Sequence, residues 1–224
     1  VSSAASDVYK RQVQEGNVVL MGLYGSHIRI TTGVKGGWDP FGPERVITKS
    51  KGSTLHEIDG INALELYKKY LGKYSEELPA SALLFPMSVR SGDDESFIVR
   101  TILSIDDEKG SMKFAGTMPE GAKVRFMKSN PDRLVNAAQE AGAEGLENMK
   151  KTDCAFALLV SCVGRKLVLA DRIEEEVEAI VEQLSPDTVV GGFFSYGEIA
   201  PLEHTDRSQL HNQTITVTYF SETL

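Results

Sequence analysis

The stretch that decides the fold is CAFALLVSCVGRKLVLADRIEEEVEAIVEQLSPDTVVGGFF, residues 154–194. Its first part, Cys154–Ser161, is a continuous apolar run and predicts a strand covered on both faces. Asp171–Leu184 is typical of an amphipathic helix, with aliphatic residues on one side and glutamates on the other. Thr188–Phe194 predicts a second buried strand. A strand, a helix and a strand at this spacing form a βαβ unit, whose right-handed crossover makes the two strands parallel.

The rest of the chain predicts β-hairpins, single strands and two further helices. The last run, Gln213–Phe220, alternates threonine with apolar residues and indicates a strand, which we expect to run antiparallel to its predecessor. One helix is expected to begin near Asp59 and to end at Gly72, and another to begin at Asn130, where proline follows the capping residue. The predicted hairpins join 18–24 to 28–33 and 97–105 to 111–116, with further strands at 45–49, 53–58 and 123–127. The fold class is therefore α/β with α+β character: a mixed sheet with a βαβ unit near the C-terminus, β-hairpins and flanking helices.

Composition and charge exclude several functional classes. The 224 residues include 32 acidic and 24 basic side chains, a formal net charge of −8. This balance argues against binding to nucleic acid or to anionic membranes. Two cysteines eight residues apart suit neither a disulfide framework nor a zinc site. The longest apolar stretch is too short to span a bilayer and no export signal is visible. We therefore expect a cytoplasmic protein without a metal or a cofactor.

A ligand site is predicted at one edge of the sheet. Two loops leave the carboxyl ends of the predicted parallel strands, and ligands of such sheets bind there. An antiparallel last strand would bring a third segment, 210–213, to the same edge. The three segments carry a thiol, a guanidinium, a phenol, a carboxylate and an imidazole, and a pocket of mixed charge suits a zwitterion. The candidate ligand-binding residues are Cys162, Arg165, Tyr196, Gly197, Glu198, His211 and Asn212.

Several of these candidates also have a structural interpretation. Arg165 and Glu198 could form a buried ion pair, and Glu198 could instead hold its loop by accepting backbone N–H bonds. Cys162 could be a small core residue. Of the two thiols, we expect Cys154 to be buried and inert and Cys162 to be more accessible, with a pKa lowered by the neighbouring cation. Trp38, in a glycine- and proline-rich loop, is expected to be a packing anchor.

The motifs of common enzymes are missing from the chain. It contains no GxSxG, HExxH or CxxC sequence, and the glycines of 191–197 lack the phosphate-binding spacing. We therefore expect a binding module rather than an enzyme. Two alternatives stay open. One is a hydrolase that uses Cys162, paired with His211, or an activated serine. The other is a haem-binding gas sensor whose axial ligand is a histidine. The histidines available for haem are His27, His56, His204 and His211.

Three motifs carry a resemblance to a known family: SCVGR at 161–165, GGFFSYGEIAP at 191–201 and LHNQT at 210–214. In order and spacing they resemble the C-terminal domain of FIST proteins, which are intracellular signal-transduction sensors. Upstream, GWDPFGPERVITKSKGSTLHEIDG at 37–60 resembles the tail end of the FIST N-terminal domain. The resemblance implies recognition of a small molecule, such as an amino acid, and a downstream signalling protein as partner.

The predicted domain organisation has three parts. Residues 1–12 are polar and aperiodic and are interpreted as a disordered or non-native tail. Residues 13–75 are expected to be a remnant of the FIST N-terminal domain, because the strand–helix–strand segment with which the family's domain begins does not precede Val13. Residues 76–224 are expected to be the FIST C-terminal domain.

Overall fold

The computed structural model describes residues 18, 20–92, 97–147, 149, 154–201 and 208–222. Its strands are β1 (Ile28–Lys35), β2 (Asp39–Lys51), β3 (Thr54–Ile58), β4 (Ile61–Asn62), β5 (Met87–Arg90), β6 (Ile98–Arg100), β7 (Ile102–Asp106), β8 (Ser111–Phe114), β9 (Lys123–Lys128), β10 (Cys154–Cys162), β11 (Val189–Ser195), β12 (Glu198–Pro201), β13 (Ser208–His211) and β14 (Ile215–Glu222). Its α-helices are α1 (Ala63–Leu71), α2 (Pro131–Leu146), α3 (Val163–Leu169) and α4 (Ile173–Val181). Helices and strands mix in the α+β manner, which confirms the predicted fold class.

Three strands of the C-terminal half and β1 form a four-stranded sheet in the order β1-β14-β10-β11. β10 and β11 are parallel, and the register places Cys162 opposite Ser195 at their carboxyl ends. β14 lies on the other side of β10 and is antiparallel to it. The predicted βαβ unit and the predicted direction of the last strand are therefore both confirmed.

The remaining strands form a second, larger sheet and a short ribbon. The eight-stranded sheet has the order β6-β5-β9-β2-β3-β8-β7, and β4 pairs with β3 beside this path. β12 and β13 form a separate antiparallel ribbon. The predicted strands at 45–49 and 53–58 are confirmed as parts of β2 and β3, which are antiparallel to each other.

Each sheet has its own hydrophobic core. In the eight-stranded sheet the core contains buried residues of α1 and of strands β2, β3, β5, β7, β8 and β9. In the four-stranded sheet it lies under α2 and α4. A third, small cluster joins the two, because Trp38 and Met127 from the larger sheet's side pack with Leu134 of α2 and Leu169 of α3. This junction positions the cleft described below.

The N-terminal region is divided between the two sheets. β1 pairs with β14, whereas β2 and β3 pair with β9 and β8. The predicted hairpin of 18–24 with 28–33 is wrong: the described residues of 18–24 form no strand and are exposed, and 28–33 takes its partner from the far end of the chain. The predicted tail, 1–12, lies outside the described residues.

Two details of the βαβ unit differ from the prediction. The expected loop after β10 is the helix α3, and the expected long helix is the shorter α4. The strand β11 was expected to be buried, but it lies at the sheet edge, where Val189 is 63% and Phe193 61% exposed. β10 is buried on the side of α2 and only partly covered on the other side. An apolar run in the sequence does not show which face of the resulting strand is covered by helices.

Helix starts were predicted with mixed success. α2 begins at Pro131, and the Asn130 side chain accepts the backbone N–H of Arg133, as the sequence predicted. α1 begins four residues after Asp59, with Asn62 as its cap. Asp59 instead lies in a turn with a positive φ of 51°. The predicted strand 97–105 is divided between β6 and β7. None of the helices in the described part of the chain has both the length and the apolarity needed to cross a membrane.

Candidate functional site

The carboxyl edge of the parallel strands brings part of the predicted site together. Cys162 ends β10, and its backbone N–H donates to the Thr214 carbonyl at 3.0 Å. In the ribbon, Glu198 lies opposite His211. The ribbon follows β11 and leads into β14, so the three predicted segments do meet at one edge of the sheet. These residues are mostly buried there.

Glu198 is a buried carboxylate held by two hydroxyl groups. The Ser195 hydroxyl donates to Oε1, and the Thr214 hydroxyl donates to Oε2 at 2.9 Å. Burial raises the pKa of Glu198, and the two hydroxyl donors oppose this effect only in part. The side chain therefore ties β11 to the start of β14.

The two cysteines are equally inaccessible. Cys154 and Cys162 are both free thiols and both 4% exposed. Burial raises the pKa of both, and for Cys162 the nearby Glu198 charge raises it further. The prediction of an accessible Cys162 with a lowered pKa is therefore wrong. The carboxyl end of β10 is covered by the rest of the protein, so the Cys162 thiol is desolvated. This desolvation outweighs the attraction between a thiolate and the neighbouring Arg165.

Arg165 is enclosed in the interior and does not pair with Glu198. Its side chain is fully buried, and Nε donates to Glu176 at 2.6 Å. The two terminal nitrogens donate to the carbonyls of Gly36 and Leu134, at 2.5 Å and 2.8 Å. The carboxylate of Glu176 also accepts the Ser161 hydroxyl at 2.8 Å. The predicted ion pair of Arg165 with Glu198 is therefore wrong. The spacing of Glu176 from Ile173 and Ile180 places it on the apolar side of the helix, which was the available signal.

Of the other predicted residues, His211, Asn212 and Gly197 lie beside Glu198 in or next to the ribbon, whereas Tyr196 faces solvent. His211 is buried and its Nε2 lies 3.2 Å from the Ala200 carbonyl oxygen; burial lowers its pKa. The Asn212 side chain donates to the His211 carbonyl. Tyr196 is 90% exposed, so its phenol points away from the others. Gly197 lies in the turn after β11, where an added Cβ would come within 3.1 Å of the Leu210 side chain.

A cleft of about 470 Å³ lies where the two sheets meet. β1, β2, β5, β9 and the β12–β13 ribbon all contribute to it. Its lining residues are Val34, Lys35, Gly36, Gly37, Trp38, Pro40, Ser88, Phe97, Val99, Arg125, Met127, Pro201, His211 and Thr214. Of the seven residues predicted from the sequence, His211 alone lines this cleft.

The lining combines an apolar wall with cations. Trp38 is largely buried, and its indole N–H donates to the Gln213 carbonyl at 2.9 Å, so it is the packing anchor that the sequence predicted. Arg125 and Lys35 are the charged groups of the lining, and its described residues include no carboxylate. Ser88 is completely buried, and its hydroxyl has no hydrogen-bond partner among the described residues.

Sequence reasoning missed the cations of this cleft, although a signal was present. In the strand 123–127, Lys123, Arg125 and Met127 alternate with Val124 and Phe126. A period of two places both cations on one face of β9. The residues that pack against that face of β9 come from distant segments of the chain, and the alternation does not identify them.

The described residues contain no cluster of three or more histidine, cysteine, aspartate or glutamate side chains that could hold a metal ion. Of the histidines named for haem, His204 lies outside the described residues, and His211 is bonded to a backbone carbonyl. His56 lines a separate polar groove beside β3, β7 and β8.

Comparison with known proteins identifies the family. Residues 63–201 match the FIST C domain, and residues 3–61 match the FIST N domain. No curated protein and no solved structure matches the chain. FIST domains are associated with signal-transduction sensing. With a C-domain match over more than half of its residues and an N-domain match directly before it, the chain belongs to the FIST family.

Proposed function

We propose that this chain is the sensing part of a cytoplasmic signal-transduction protein and that it binds a small acid, such as an amino acid, in the cleft between its two sheets. One observation carries the proposal: a completely buried serine hydroxyl, that of Ser88, lines the cleft and has no hydrogen-bond partner in the described part of the chain. A buried polar group without a hydrogen bond costs about 1–3 kcal/mol. A ligand atom in the cleft would supply the missing bond.

The charge of the lining supports an anionic ligand. The chain as a whole carries a net charge of −8, yet the charged lining residues are Lys35 and Arg125. Arg125 is also bound to Glu44 at 3.1 Å, and Lys35 to Glu144 at 3.4 Å, so both are held in place. A carboxylate is the natural partner of a guanidinium group.

The size and the apolar wall support a small molecule rather than a macromolecule. Ligand pockets commonly measure about 300–1,000 Å³ and are lined by apolar side chains with a few polar groups. Trp38, Phe97 and Met127 supply apolar surface for the carbon skeleton of the ligand.

The position of the cleft supports a sensing role. Its lining includes Thr214, whose hydroxyl binds Glu198, and Trp38, whose indole binds the Gln213 carbonyl. A ligand that contacts these residues would act on both sheets at their junction. A downstream signalling protein could recognise the resulting change.

The chemistry of the described residues favours binding over catalysis. A nucleophilic cysteine acts as the thiolate, and burial raises the pKa of Cys162. A panel of activated esters tests hydrolysis, and an absorption spectrum of the purified protein tests bound haem.

A thermal-shift screen with the amino acids and short carboxylic acids tests the proposal. A ligand at 100 times its Kd stabilises the folded state by about 2.7 kcal/mol, which is a measurable shift. Ser88→Ala should weaken binding while leaving the stability of the free protein unchanged or higher, because it removes an unsatisfied buried hydroxyl. Arg125→Gln should also weaken binding, and Arg172→Gln is the matched control, since Arg172 is likewise ion-paired but does not line the cleft. Equal binding by all variants would contradict the assignment.

A further inference from the structure

One edge of the four-stranded sheet is apolar and unprotected. β11 lies at the end of the strand order, and in the described part of the chain it pairs with β10 without a bulge. Its sequence, VVGGFFS, contains neither a charged residue nor proline. Soluble proteins usually protect such edges with lysine, proline or a bulge, because the free backbone groups can pair with another strand. The opposite edge strand, β1, carries Arg29 and Lys35.

The side chains at this edge are exposed although they are large and apolar. Val189 and Phe193 share one face of β11 and are 63% and 61% exposed, and Phe194 on the other face is 41% exposed. Beside the strand, Val177 and Val181 lie one turn apart on α4 and are also exposed. Val177 and Phe194 line the same cavity of about 250 Å³. The exposed apolar surface therefore continues from the strand to the helix.

A second copy of the chain fits this edge by antiparallel strand pairing. A two-fold axis perpendicular to the sheet places β11 beside β11 of the copy and keeps the same faces of both sheets on one side. With Gly191 on this axis, Val189 of each copy lies opposite Phe193 of the other. Aromatic and β-branched residues that lie opposite each other stabilise antiparallel pairs. The two most exposed apolar side chains of β11 thus cover each other, twice in one interface.

We infer that the chain forms a two-fold dimer in which the two β11 strands pair antiparallel and join the four-stranded sheets into one continuous sheet. The edge is roughly 23 Å long and, with α4 beside it, roughly 20 Å deep. Such a face is close to the lower limit of about 600 Å² that each partner of a specific complex buries, so we expect a reversible dimer. Val189 and Phe193 do not line the cleft, so this inference does not depend on the proposed ligand.

The charges beside this edge give the dimer a salt dependence. Glu174 and Glu178 of α4 are exposed and are neighbours of Val177 in the helix. The glutamates of the two copies repel each other, and salt screens this repulsion. We therefore expect higher salt to strengthen the dimer.

Sedimentation velocity of the 224-residue chain, measured over a range of concentrations, tests the inference. Wild type should sediment as a dimer that dissociates on dilution. Phe193→Lys should weaken the dimer by at least about tenfold, because it adds a charge to both cross-strand pairs. Phe193 is exposed in the single chain, so this variant should fold, which the fluorescence of Trp38 checks. Ile30→Lys is the matched control, because Ile30 lies in the same cross-strand row as Val189 but on the opposite edge strand.

Gly191→Cys tests the register of the pairing. Residues directly opposite each other on antiparallel strands have Cα atoms roughly 4.5–5.5 Å apart, which a disulfide can bridge. Mild oxidation should therefore convert Gly191→Cys into a covalent dimer on a non-reducing gel. Leu103→Cys is the control, because Leu103 is exposed on β7 in the other sheet. The native Cys154 and Cys162 are buried and should stay reduced.

Four results would overturn the inference. The first is a wild-type chain that stays monomeric at about 0.1 mM. The second is a dimer that Phe193→Lys leaves intact or that Ile30→Lys weakens equally, since another surface would then form it. The third is a dimer in which Gly191→Cys forms no disulfide, and the fourth is an association that weakens as salt is added. A dimer lost in Phe193→Lys, kept in Ile30→Lys and crosslinked through Gly191→Cys supports it.

Discussion

Replacing Glu176 with glutamine should lower the free energy of unfolding by about 3–5 kcal/mol, the cost of breaking a buried ion pair from one side. Arg165 and Glu176 are 0% and 1% exposed, so water screens neither charge. Glutamine keeps the shape of glutamate and removes its charge. The guanidinium of Arg165 would then stay buried, with only two neutral carbonyl oxygens and an amide as acceptors.

The loss of stability is expected to be large because the pair of Arg165 and Glu176 connects several helices and strands. Arg165 in α3 binds Glu176 in α4, the Gly36 carbonyl after β1 and the Leu134 carbonyl in α2. Ser161 of β10 completes the network through Glu176. Because the two charges depend on each other, Glu176→Gln and Arg165→Met should not be additive. The double variant should be more stable than the sum of the single losses predicts, by about 0.5–3 kcal/mol.

Urea unfolding followed by tryptophan fluorescence measures these differences. Trp38 is the single tryptophan, and it is largely buried at the junction of the two sheets, so its emission reports on the same region. Arg172→Met removes two exposed ion pairs, with Asp132 and Glu175, and should leave the unfolding midpoint nearly unchanged. A loss below about 1 kcal/mol for Glu176→Gln, or additive single losses, would refute the reasoning that the pair is a buried, coupled network.

Three further predictions concern pH, packing and thiol chemistry. Burial raises the pKa of Glu198 above its unfolded value of about 4.3, so its contribution to stability is present below that pH and is lost as the pH rises through the folded pKa. Glu198→Gln should therefore gain stability relative to wild type as urea titrations move from about pH 4 to about pH 7, and a constant difference would contradict this. Gly33→Ala should destabilise the protein by about 1–3 kcal/mol, because its Cβ would lie 2.0 Å from a backbone oxygen of α2. In the control Gly191→Ala the nearest atom is a side-chain carbon at 3.4 Å, and equal melting temperatures would count against the packing argument. Brief iodoacetamide treatment of the native protein should modify neither Cys154 nor Cys162, because both are buried with raised pKa values, and label found by mass spectrometry before unfolding would contradict this.

The order of elements in the C-terminal half could be predicted because it follows from local patterns. The continuous apolar run at 154–161 and the amphipathic stretch after it determine a strand and a helix, and chirality then makes β10 and β11 parallel. Asn130 followed by proline determined the start of α2 in the same way. Three short motifs were enough to indicate the family, which the matches to the FIST C and N domains confirm.

The charged groups of the interior could not be assigned from the sequence. The spacing of Glu176 from Ile173 and Ile180 places it on the apolar side of its helix, but this spacing does not identify the group that compensates its charge. Its burial depends on Arg165, which α3 turns inward, and on carbonyls more than thirty residues away in the chain. A glutamate is buried only when a partner compensates its charge.

What the sequence by itself determined is the βαβ unit, the last strand, the start of α2 and the family, because periodicity and short motifs are properties of neighbouring residues. What only the tertiary structure decided is which faces are covered and which side chains meet. β1 pairs with β14 across almost the whole chain, and the cleft takes Trp38, Ser88, Arg125 and His211 from four separate segments. Such contacts form because sheets and helices bury apolar area against one another. The free energy gained depends on all the segments that pack together, so it cannot be calculated from any one segment.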